Sequence, residues 1–259
     1  MALAIRCPFV GRAVRAGTGI MKLMPDYRTL ETQLTTTLGL SRRPIAVSLL
    51  DHAPEAVEKF EGVEPSGCSF WRLAAEGRSF YTEPSDHYNC PVGSYTFNIA
   101  LPDARAAELE GSLKLMTDIG YLRMEEVPGI PRLAATPAAI VYAPLGDSVE
   151  NPDVVMVVAR AASLMLLQEA AQRAGASAAM PLLARPTCMA IPAAMSTGVV
   201  SSVGCMGNRV YTNIGDDELY AAIPGKDLAR VCEALGTIAQ ANATLKQYHE
   251  ARRAQLATA

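Results

Sequence analysis

Two short apolar runs near the middle of the chain constrain its fold more than any other feature. The sequence reads AAIVYAPL over residues 138–145 and DVVMVVA over residues 153–159. Neither run alternates apolar with polar residues, so each predicts a strand that is covered on both faces. Helical spacing follows over residues 163–173 and ends before Gly175. The centre of the chain therefore predicts an α/β or α+β protein, with a mixed sheet and flanking helices.

Helical and strand-like patterns continue on both sides of this centre. Leu30, Leu34 and Leu38 repeat at helical spacing before Gly39, a residue type that commonly ends helices. Residues 44–50, PIAVSLL, form another apolar run of the strand type. The remaining predictions are helices over residues 51–60, 70–76 and 103–120, a helix or turn entered at Cys90, strands over residues 78–82 and 218–223, and a terminal helix from Lys226.

The size and charge of the chain limit its partners. Half of the 259 residues are hydrophobic, which is enough to fill the core of a domain of this length. The formal net charge is −3 and no stretch of five or six like charges occurs, so we expect no nucleic acid and no membrane surface as a partner. The expected partner is a small-molecule substrate or another protein.

No segment predicts membrane insertion or export. The longest apolar runs fall short of the roughly 20 residues that a spanning helix needs, and Arg160 interrupts them. Residues 1–24 carry basic and no acidic side chains, but they lack the apolar core and cleavage site of a signal peptide. We predict a flexible leader over residues 1–24, or a true start at Met21 or Met24, before a cytoplasmic domain over residues 25–259.

Outside the predicted leader, four cysteines lie within two residues of a glycine or proline. These four are Cys68, Cys90, Cys188 and Cys205. Turns allow separate thiolates to converge and backbone N–H groups to point at them. Six cysteines are too few for a disulfide scaffold, and in a reducing compartment a cysteine cluster is more typical of a metal or catalytic site. We therefore predict one four-thiolate site, with Cys7 and Cys232 outside it, although buried cysteines often serve only as small apolar residues.

Soft thiolate ligands select iron-sulfur clusters, zinc or copper(I). The spacings match neither a C-x2-C zinc pair nor a ferredoxin run, and single ligands spread along the chain suit a cluster held between two parts of the fold. We predict a 4Fe-4S cluster, with zinc as the alternative cofactor. Met189 and Met206 follow two of the cysteines and would suit copper(I), but methionines also fill gaps in cores.

A weak internal repeat surrounds two of the cysteines. CPVGSYTFNI begins at Cys90 and CMGNRVYTNI begins at Cys205, and each segment has a second cysteine upstream. Such a repeat predicts two related lobes, residues 25–135 and 136–259, each donating two thiolates to a site at their interface. A ten-residue similarity also arises by chance, so a single domain is the alternative.

Two further side chains accompany the predicted site. Arg209, in the segment GNRVYT, is placed to neutralise an anionic cluster or to bind a substrate carboxylate, although an exposed arginine beside a loop is an equal alternative. His87 precedes Cys90 by three residues and is a candidate additional ligand, but we expect a surface loop residue there. The sequence contains no nucleotide-binding, hydrolase or zinc-protease motif.

Several segments together resemble the bacterial and archaeal proteins called domain of unknown function 169. The segments are PSGCSFWRLAAEGRSFYT, NCPVGSY, NPDVVMVV, TCMA, GCMGNR and DDELYAAIP, and they extend over most of the chain. The resemblance implies that the four cysteines occupy recurrent cysteine positions of that family, and it implies no reaction. A small residue and an acid are expected after Cys188, where Met189 and Ala190 stand here. This difference bears on whether the chain shares a substrate with the family more than on whether it shares the four cysteine ligands.

Three functions follow from these predictions. The first is an iron-sulfur protein that transfers electrons to a redox partner protein or acts as a Lewis acid on a small substrate. The second is a non-enzymatic binding or regulatory protein with a structural zinc or no metal. The third is a thiol catalyst that uses Cys90 at a helix start, which ranks last because no histidine base is evident beside it.

Overall fold

The protein alternates short strands with helices, and a computed structural model describes its residues 12–13, 23–176 and 182–257. The strands are β1 Arg12–Ala13, β2 Leu23–Met24, β3 Ile45–Leu50, β4 Phe80–Thr82, β5 Ala139–Pro144, β6 Val154–Arg160, β7 Leu182–Leu183, β8 Val200–Ser202 and β9 Glu218–Pro224. The helices are α1 Tyr27–Leu38, α2 Gly67–Ala75, α3 Pro91–Thr96, α4 Asp103–Asp118, α5 Ala161–Arg173, α6 Ala190–Thr197, α7 Met206–Thr212 and α8 Leu228–Ala257. Short 3-10 segments lie at Pro84–His87, Met124–Gly129, Leu145–Asp147, Thr187–Met189 and Gly225–Asp227.

Seven strands form one mixed sheet in the order β4-β5-β3-β6-β9-β8-β7. Neighbouring strands are antiparallel except β7 and β8, which are parallel. The two apolar runs of the sequence become β5 and β6, and their side chains are buried on both faces apart from Arg160. The predicted α/β class, with a mixed sheet and flanking helices, is confirmed.

The sheet separates two apolar layers because successive side chains of a strand point to opposite faces. On β3, Ile45 and Val47 face the layer that contains α2, α3, α6 and α7, whereas Ala46 faces the layer of α1, α5 and α8. Cys68 and Cys188 belong to the first of these layers. We call that side of the sheet the cysteine face.

The strand order repeats in the two halves of the chain. The first half is ordered β4-β5-β3 and the second half β6-β9-β8, so the central antiparallel strands β3 and β6 relate the halves by an approximate two-fold axis. The backbone contacts repeat as well. Leu145 donates its N–H to the carbonyl of Pro44 at 2.8 Å, and Gly225 donates to Asp153 at 2.7 Å, each pair lying just after the last strand and just before the first strand of its half. Both halves therefore share one continuous sheet.

The helix predicted over residues 51–60 is wrong. Lys59 instead forms a parallel bridge with Tyr81 at the edge of the sheet, where Phe60 donates its N–H to the Tyr81 carbonyl at 2.7 Å. The backbone at these positions is committed to strand-like pairing, and the Phe60 ring is buried against Phe80 at a centroid distance of 5.2 Å. Tertiary packing thus overrides the local pattern.

Near the amino terminus, Arg12–Ala13 pairs with Leu23–Met24 in an antiparallel ladder. The rest of the predicted leader, including Cys7, lies outside the described residues. The helix α1 that follows ends at Gly39 in the left-handed conformation, as predicted.

The terminal helix α8 is 30 residues long and is buried only in its first two turns, from Leu228 to Leu235. Its later side chains are mostly exposed, including Leu245 and Tyr248. Within the described ranges, no helix combines the length and the apolar character needed to cross a membrane.

Candidate functional site

Each of the four candidate cysteines lies at the start of a helix on the cysteine face. Cys68 is the second residue of α2, and Cys90 immediately precedes α3. Cys188 lies in the 3-10 segment that leads directly into α6, and Cys205 immediately precedes α7. The sequence around Cys188 and Cys205 is typical of loops, because the helices that follow these cysteines are short and begin near glycine or proline.

The structure brings the four thiols into one region. Burial, and then the charges of Cys90 and Cys205, raise the pKa of Cys68. Burial, and then the charges of the other three thiols, raise the pKa of Cys188. Burial and Cys205 raise the pKa of Cys90 in the same way. Every pair among the four therefore interacts electrostatically, across both halves of the chain.

The four thiols differ in exposure. Cys68 and Cys188 are each 5% exposed, whereas Cys90 and Cys205 are half-buried. Each half of the chain thus supplies one buried and one half-buried cysteine. Cys90 and Cys205 are therefore the more exposed members of the group.

Backbone groups surround the Cys90 sulfur. Burial raises the pKa of Cys90, and the N–H groups of Gly67 and Gly93 oppose this effect by hydrogen bonding to the thiolate. A Cβ atom on Gly93 would lie only 2.8 Å from Cys90 Sγ, so glycine is the residue that permits this approach. The arrangement stabilises negative charge on sulfur.

Side chains hold the other cysteines in place. The Ser66 hydroxyl accepts the Cys68 N–H at 3.0 Å. Burial raises the pKa of the Cys68 thiol, and the Asn208 side chain acts in the opposite direction. The Thr187 hydroxyl accepts the Cys205 N–H at 2.6 Å. Because Thr187 immediately precedes Cys188, this bond ties together the two cysteines of the second half.

Several buried polar atoms near the thiols have no hydrogen-bond partner in the described part of the chain. Those on the cysteine face are Ser69 Oγ, Trp71 Nε1, His87 Nδ1, Tyr142 OH and Asn208 Oδ1. Leaving a buried polar atom unpaired costs about 1–3 kcal/mol. Five unpaired buried polar atoms on one face of a sheet are uncommon in a native fold, and they are consistent with a bound group that would pair with them.

Tyr142 is a residue that sequence reasoning missed. It is fully buried in β5, and its ring stacks on Phe70 at a centroid distance of 5.6 Å. Burial, and then the charges of Cys68, Cys90 and Cys188, raise the pKa of its hydroxyl well above the ordinary value. The sequence feature that could have identified Tyr142 is its position in a strand predicted to be buried on both faces, because a buried tyrosine hydroxyl needs a hydrogen-bond partner.

His87 lies in the core, so the expectation of a surface loop residue is wrong. Its side chain is 1% exposed, and Nε2 lies 2.8 Å from the Thr82 hydroxyl. Burial lowers the pKa of His87 to about 4, so the imidazole is neutral at pH 7. The 3-10 segment Pro84–His87 turns the ring inward, where it contacts Phe70 and Phe97.

Arg209 has a structural role. Its guanidinium donates to the carbonyls of Val203 at 2.6 Å, Gly215 at 2.9 Å and Glu218 at 3.1 Å. These bonds fix α7 to the start of β9. Its predicted action on a cluster or a substrate stays a prediction.

In the described ranges, no group of three or more His, Cys, Asp or Glu side chains is placed so that it could hold a metal ion. Binding a metal or a cluster would therefore need the cysteine side chains to turn from their present positions. The fifth described cysteine, Cys232, is fully buried in α8 on the opposite face of the sheet.

The chain is similar to known proteins over the residues that form the candidate site. The family DUF169, described as "Uncharacterised ArCR", matches residues 33–234, which include all four cysteines. An uncharacterized protein of Methanocaldococcus jannaschii is 25% identical over 221 residues, which cover 81% of this chain and 94% of that protein. No solved structure matches the chain.

Proposed function

We propose that this chain, which belongs to the DUF169 family, holds an iron-sulfur cluster of the 4Fe-4S type on Cys68, Cys90, Cys188 and Cys205. The observation that carries the proposal is the convergence of four thiols, two from each half of the chain, at helix starts on one face of the sheet. Four cysteine thiolates are the usual ligands of a 4Fe-4S cluster.

Burial of the thiols supports a bound cationic group. The three with a raised pKa are unfavourable as free thiolates because burial and mutual repulsion both act against their charge. Iron compensates the charge of ligating thiolates, and ligation removes their protons. Charged thiolates at these buried positions are therefore unfavourable without a metal and become favourable when a metal binds them.

The unpaired polar atoms around the site also suit this group. Tyr142 OH and Trp71 Nε1 are buried hydrogen-bond donors with no acceptor among the described residues. The sulfurs of an iron-sulfur cluster accept hydrogen bonds, and such bonds tune its reduction potential. The N–H groups of Gly67 and Gly93 already point at Cys90.

A bound cluster would supply electron transfer or Lewis-acid activation of a small molecule. The residues of this chain would hold and orient it, and the buried Cys68 and Cys188 would shield it from water. A small-molecule substrate or a redox partner protein would approach beside the half-buried Cys90 and Cys205.

Anaerobic purification followed by a visible spectrum and by iron, acid-labile sulfide and zinc analysis tests this function. We expect a brown protein with broad absorption near roughly 400 nm, as is typical of thiolate-ligated clusters. Cys68→Ser, Cys90→Ser, Cys188→Ser and Cys205→Ser should each lose most of the absorption. Cys232→Ser is the matched control, since it removes a buried thiol on the other face of the sheet, and it should keep the cluster.

Other outcomes separate the alternatives. A colourless protein with one zinc per chain, lost in the same four variants, would favour a binding or regulatory protein with a structural zinc. A folded, metal-free parent that does not take up iron and sulfide under reducing conditions would overturn the proposal and leave the cysteines as packing residues.

A further inference from the structure

We propose that the cavity between α1 and the start of α8 binds an α-amino acid with an apolar side chain. None of the four candidate cysteines is among the residues that line this cavity, so the site goes beyond the proposed function and does not depend on it. The chemistry of the lining and the internal repeat of the fold both support this ligand class.

The cavity combines an apolar lining with a few polar groups. Its volume is about 570 Å³. Small-molecule sites usually measure roughly 300–1,000 Å³ and have a lining of this kind. Leu30 of α1, Met195 of α6 and Leu228 of α8 supply apolar surface. Asp153 and Lys226 supply charged groups of opposite sign, so the lining suits a ligand that is part apolar and part charged.

The charged part of the cavity has a counterpart in the first half of the chain. The 3-10 segment Leu145–Asp147 follows β5, and the 3-10 segment Gly225–Asp227 follows β9. The first residue of each segment forms the repeated backbone bond to the residue that precedes the first strand of its half. Gly146 and Lys226 are the second residues of the two segments and therefore occupy equivalent positions.

In the first half, a carboxylate of the chain itself binds at this position. The Gly146 N–H donates to Glu31 Oε2, and the Arg43 guanidinium donates to Glu31 Oε1 at 2.6 Å. At the equivalent position, Lys226 offers the same two kinds of donor, a backbone N–H and a cationic side chain. Neither has a protein acceptor among the described residues. The cavity therefore presents to a ligand carboxylate the kinds of donor that bind Glu31 in the first half.

Asp153 supplies the opposite charge at the same end of the cavity. Gly225 donates its N–H to the Asp153 carbonyl at 2.7 Å, which places Asp153 beside the segment that carries Lys226. Asp153 Oδ2 accepts the Leu49 N–H at 2.7 Å, and no described residue donates to Oδ1. Burial raises the pKa of Asp153, so a ligand ammonium group would stabilise its charged form. An α-amino acid carries an ammonium and a carboxylate on one carbon atom, and an apolar side chain matches the rest of the lining.

Isothermal titration calorimetry of the purified protein with L-leucine and L-phenylalanine tests the site. We expect saturable binding with one site per chain. Two analogues keep the side chain of leucine but lack one charge: 4-methylpentanoate has no ammonium group, and 3-methylbutylamine has no carboxylate. Each should bind about tenfold more weakly than L-leucine, because it loses a hydrogen bond between charged groups.

Substitutions locate the binding in this cavity. Lys226→Met should weaken L-leucine binding about tenfold and remove most of its advantage over 3-methylbutylamine. Asp153→Asn should remove most of the advantage over 4-methylpentanoate, and it keeps an acceptor for the Leu49 N–H. Lys246→Met is the matched control, since it neutralises an exposed lysine of α8 outside the cavity, and it should bind L-leucine as the parent does.

The contrary outcomes are distinct. A folded parent that binds neither amino acid would overturn the site, and equal binding of L-leucine and 4-methylpentanoate would overturn the ligand class. Parent-like binding by both Lys226→Met and Asp153→Asn would exclude this cavity. The iron content of the same preparations tests the proposed function separately: a metal-free parent that binds L-leucine overturns the cluster alone, and a cluster-bearing parent that binds no amino acid overturns this site alone.

Discussion

Cys90 shows how closely one residue can control a thiol. The absence of a side chain at Gly93 allows the helix backbone to approach the sulfur, and a Cβ atom there would lie 2.8 Å from Cys90 Sγ. Real side chains do not tolerate that separation, so the thiol or the helix start would have to shift.

Gly93→Ala should therefore displace the Cys90 thiol without unfolding the protein. We expect bound iron to be retained about tenfold less well, the scale on which groups that orient metal ligands usually act. Iron analysis after dialysis against a chelator measures the effect. Gly111→Ala is the control, since nothing lies within 4 Å of its Cβ position in α4, and it should stabilise that helix by about 1 kcal/mol with iron unchanged. Equal iron retention in Gly93→Ala and Gly111→Ala would contradict the steric argument.

His87 gives a prediction about acid stability. Its pKa is about 4 in the folded protein and about 6.5 when unfolded, because burial disfavours the charged imidazole. As pH falls from about 6.5 to about 4, the unfolded state takes up the proton first, so the apoprotein should lose on the order of 3 kcal/mol over that window. Above pH 6.5 this contribution to the pH dependence is absent.

Urea unfolding of the apoprotein at several pH values measures this loss. His87→Gln should be less stable at pH 7 but should lack the His87 part of the decline between pH 6.5 and 4. His52→Gln replaces an exposed histidine and should follow the parent. A parent and a His87→Gln variant with parallel pH profiles would show that the imidazole does not titrate on unfolding.

For single residues, the sequence singled out the four cysteines and named His87 as a candidate ligand, but it predicted neither the burial of His87 nor any part for Tyr142; that the cysteines hold a metal stays a prediction. Glycine or proline within two residues of each of these four cysteines indicated turns, a signal that is local in the chain. Tyr142 and His87 reach the site only through long-range packing, from β5 and from a 3-10 segment, and their burial could not be seen before the sheet was assembled.

Among the elements, the segment over residues 51–60 shows where local patterns fail. The pattern predicted a helix. In the structure, Lys59 pairs with Tyr81 at the edge of the sheet, and the Phe60 ring packs against Phe70 and Phe80. By contrast, α1 and the strands β5 and β6 were predicted well, because each carries a strong apolar period or run within one segment. Elements that depend on a distant partner were the ones missed.

Phe60→Ala should confirm that this extended segment is part of the core. The ring is 6% exposed and lies 5.1 Å from Phe70, so its removal should lower the free energy of unfolding by about 3–5 kcal/mol. Val63→Ala, at a residue that is 82% exposed and follows this segment by three positions, should change it by less than about 0.5 kcal/mol. Chemical denaturation of the two variants measures both values. Equal stabilities would mean that the segment is only loosely attached to the sheet.

For the whole molecule, the order of the strands could not be predicted from the sequence. Adjacent strands such as β6 and β9 are far apart in the chain, and no local pattern encodes their pairing. The cysteine repeat predicts two lobes, residues 25–135 and 136–259, and these bounds stay a prediction. The strand order and the paired contacts of Leu145 and Gly225 repeat in two halves that divide between β5 and β6. What the repeat left open is whether the halves behave as separate lobes.

The continuous sheet predicts that the two halves unfold as one unit. The central pairing of β3 with β6 joins them, and the Trp71 ring of the first half packs against Tyr220 of the second at 5.5 Å. Trp71 is the single tryptophan of the chain, so its fluorescence reports the first half, whereas far-UV circular dichroism is weighted toward α5 and α8 of the second half. In urea, the two signals should give one coincident transition with the same midpoint and slope. Two separated transitions, with fluorescence and dichroism changing at different urea concentrations, would instead show that the two halves unfold independently.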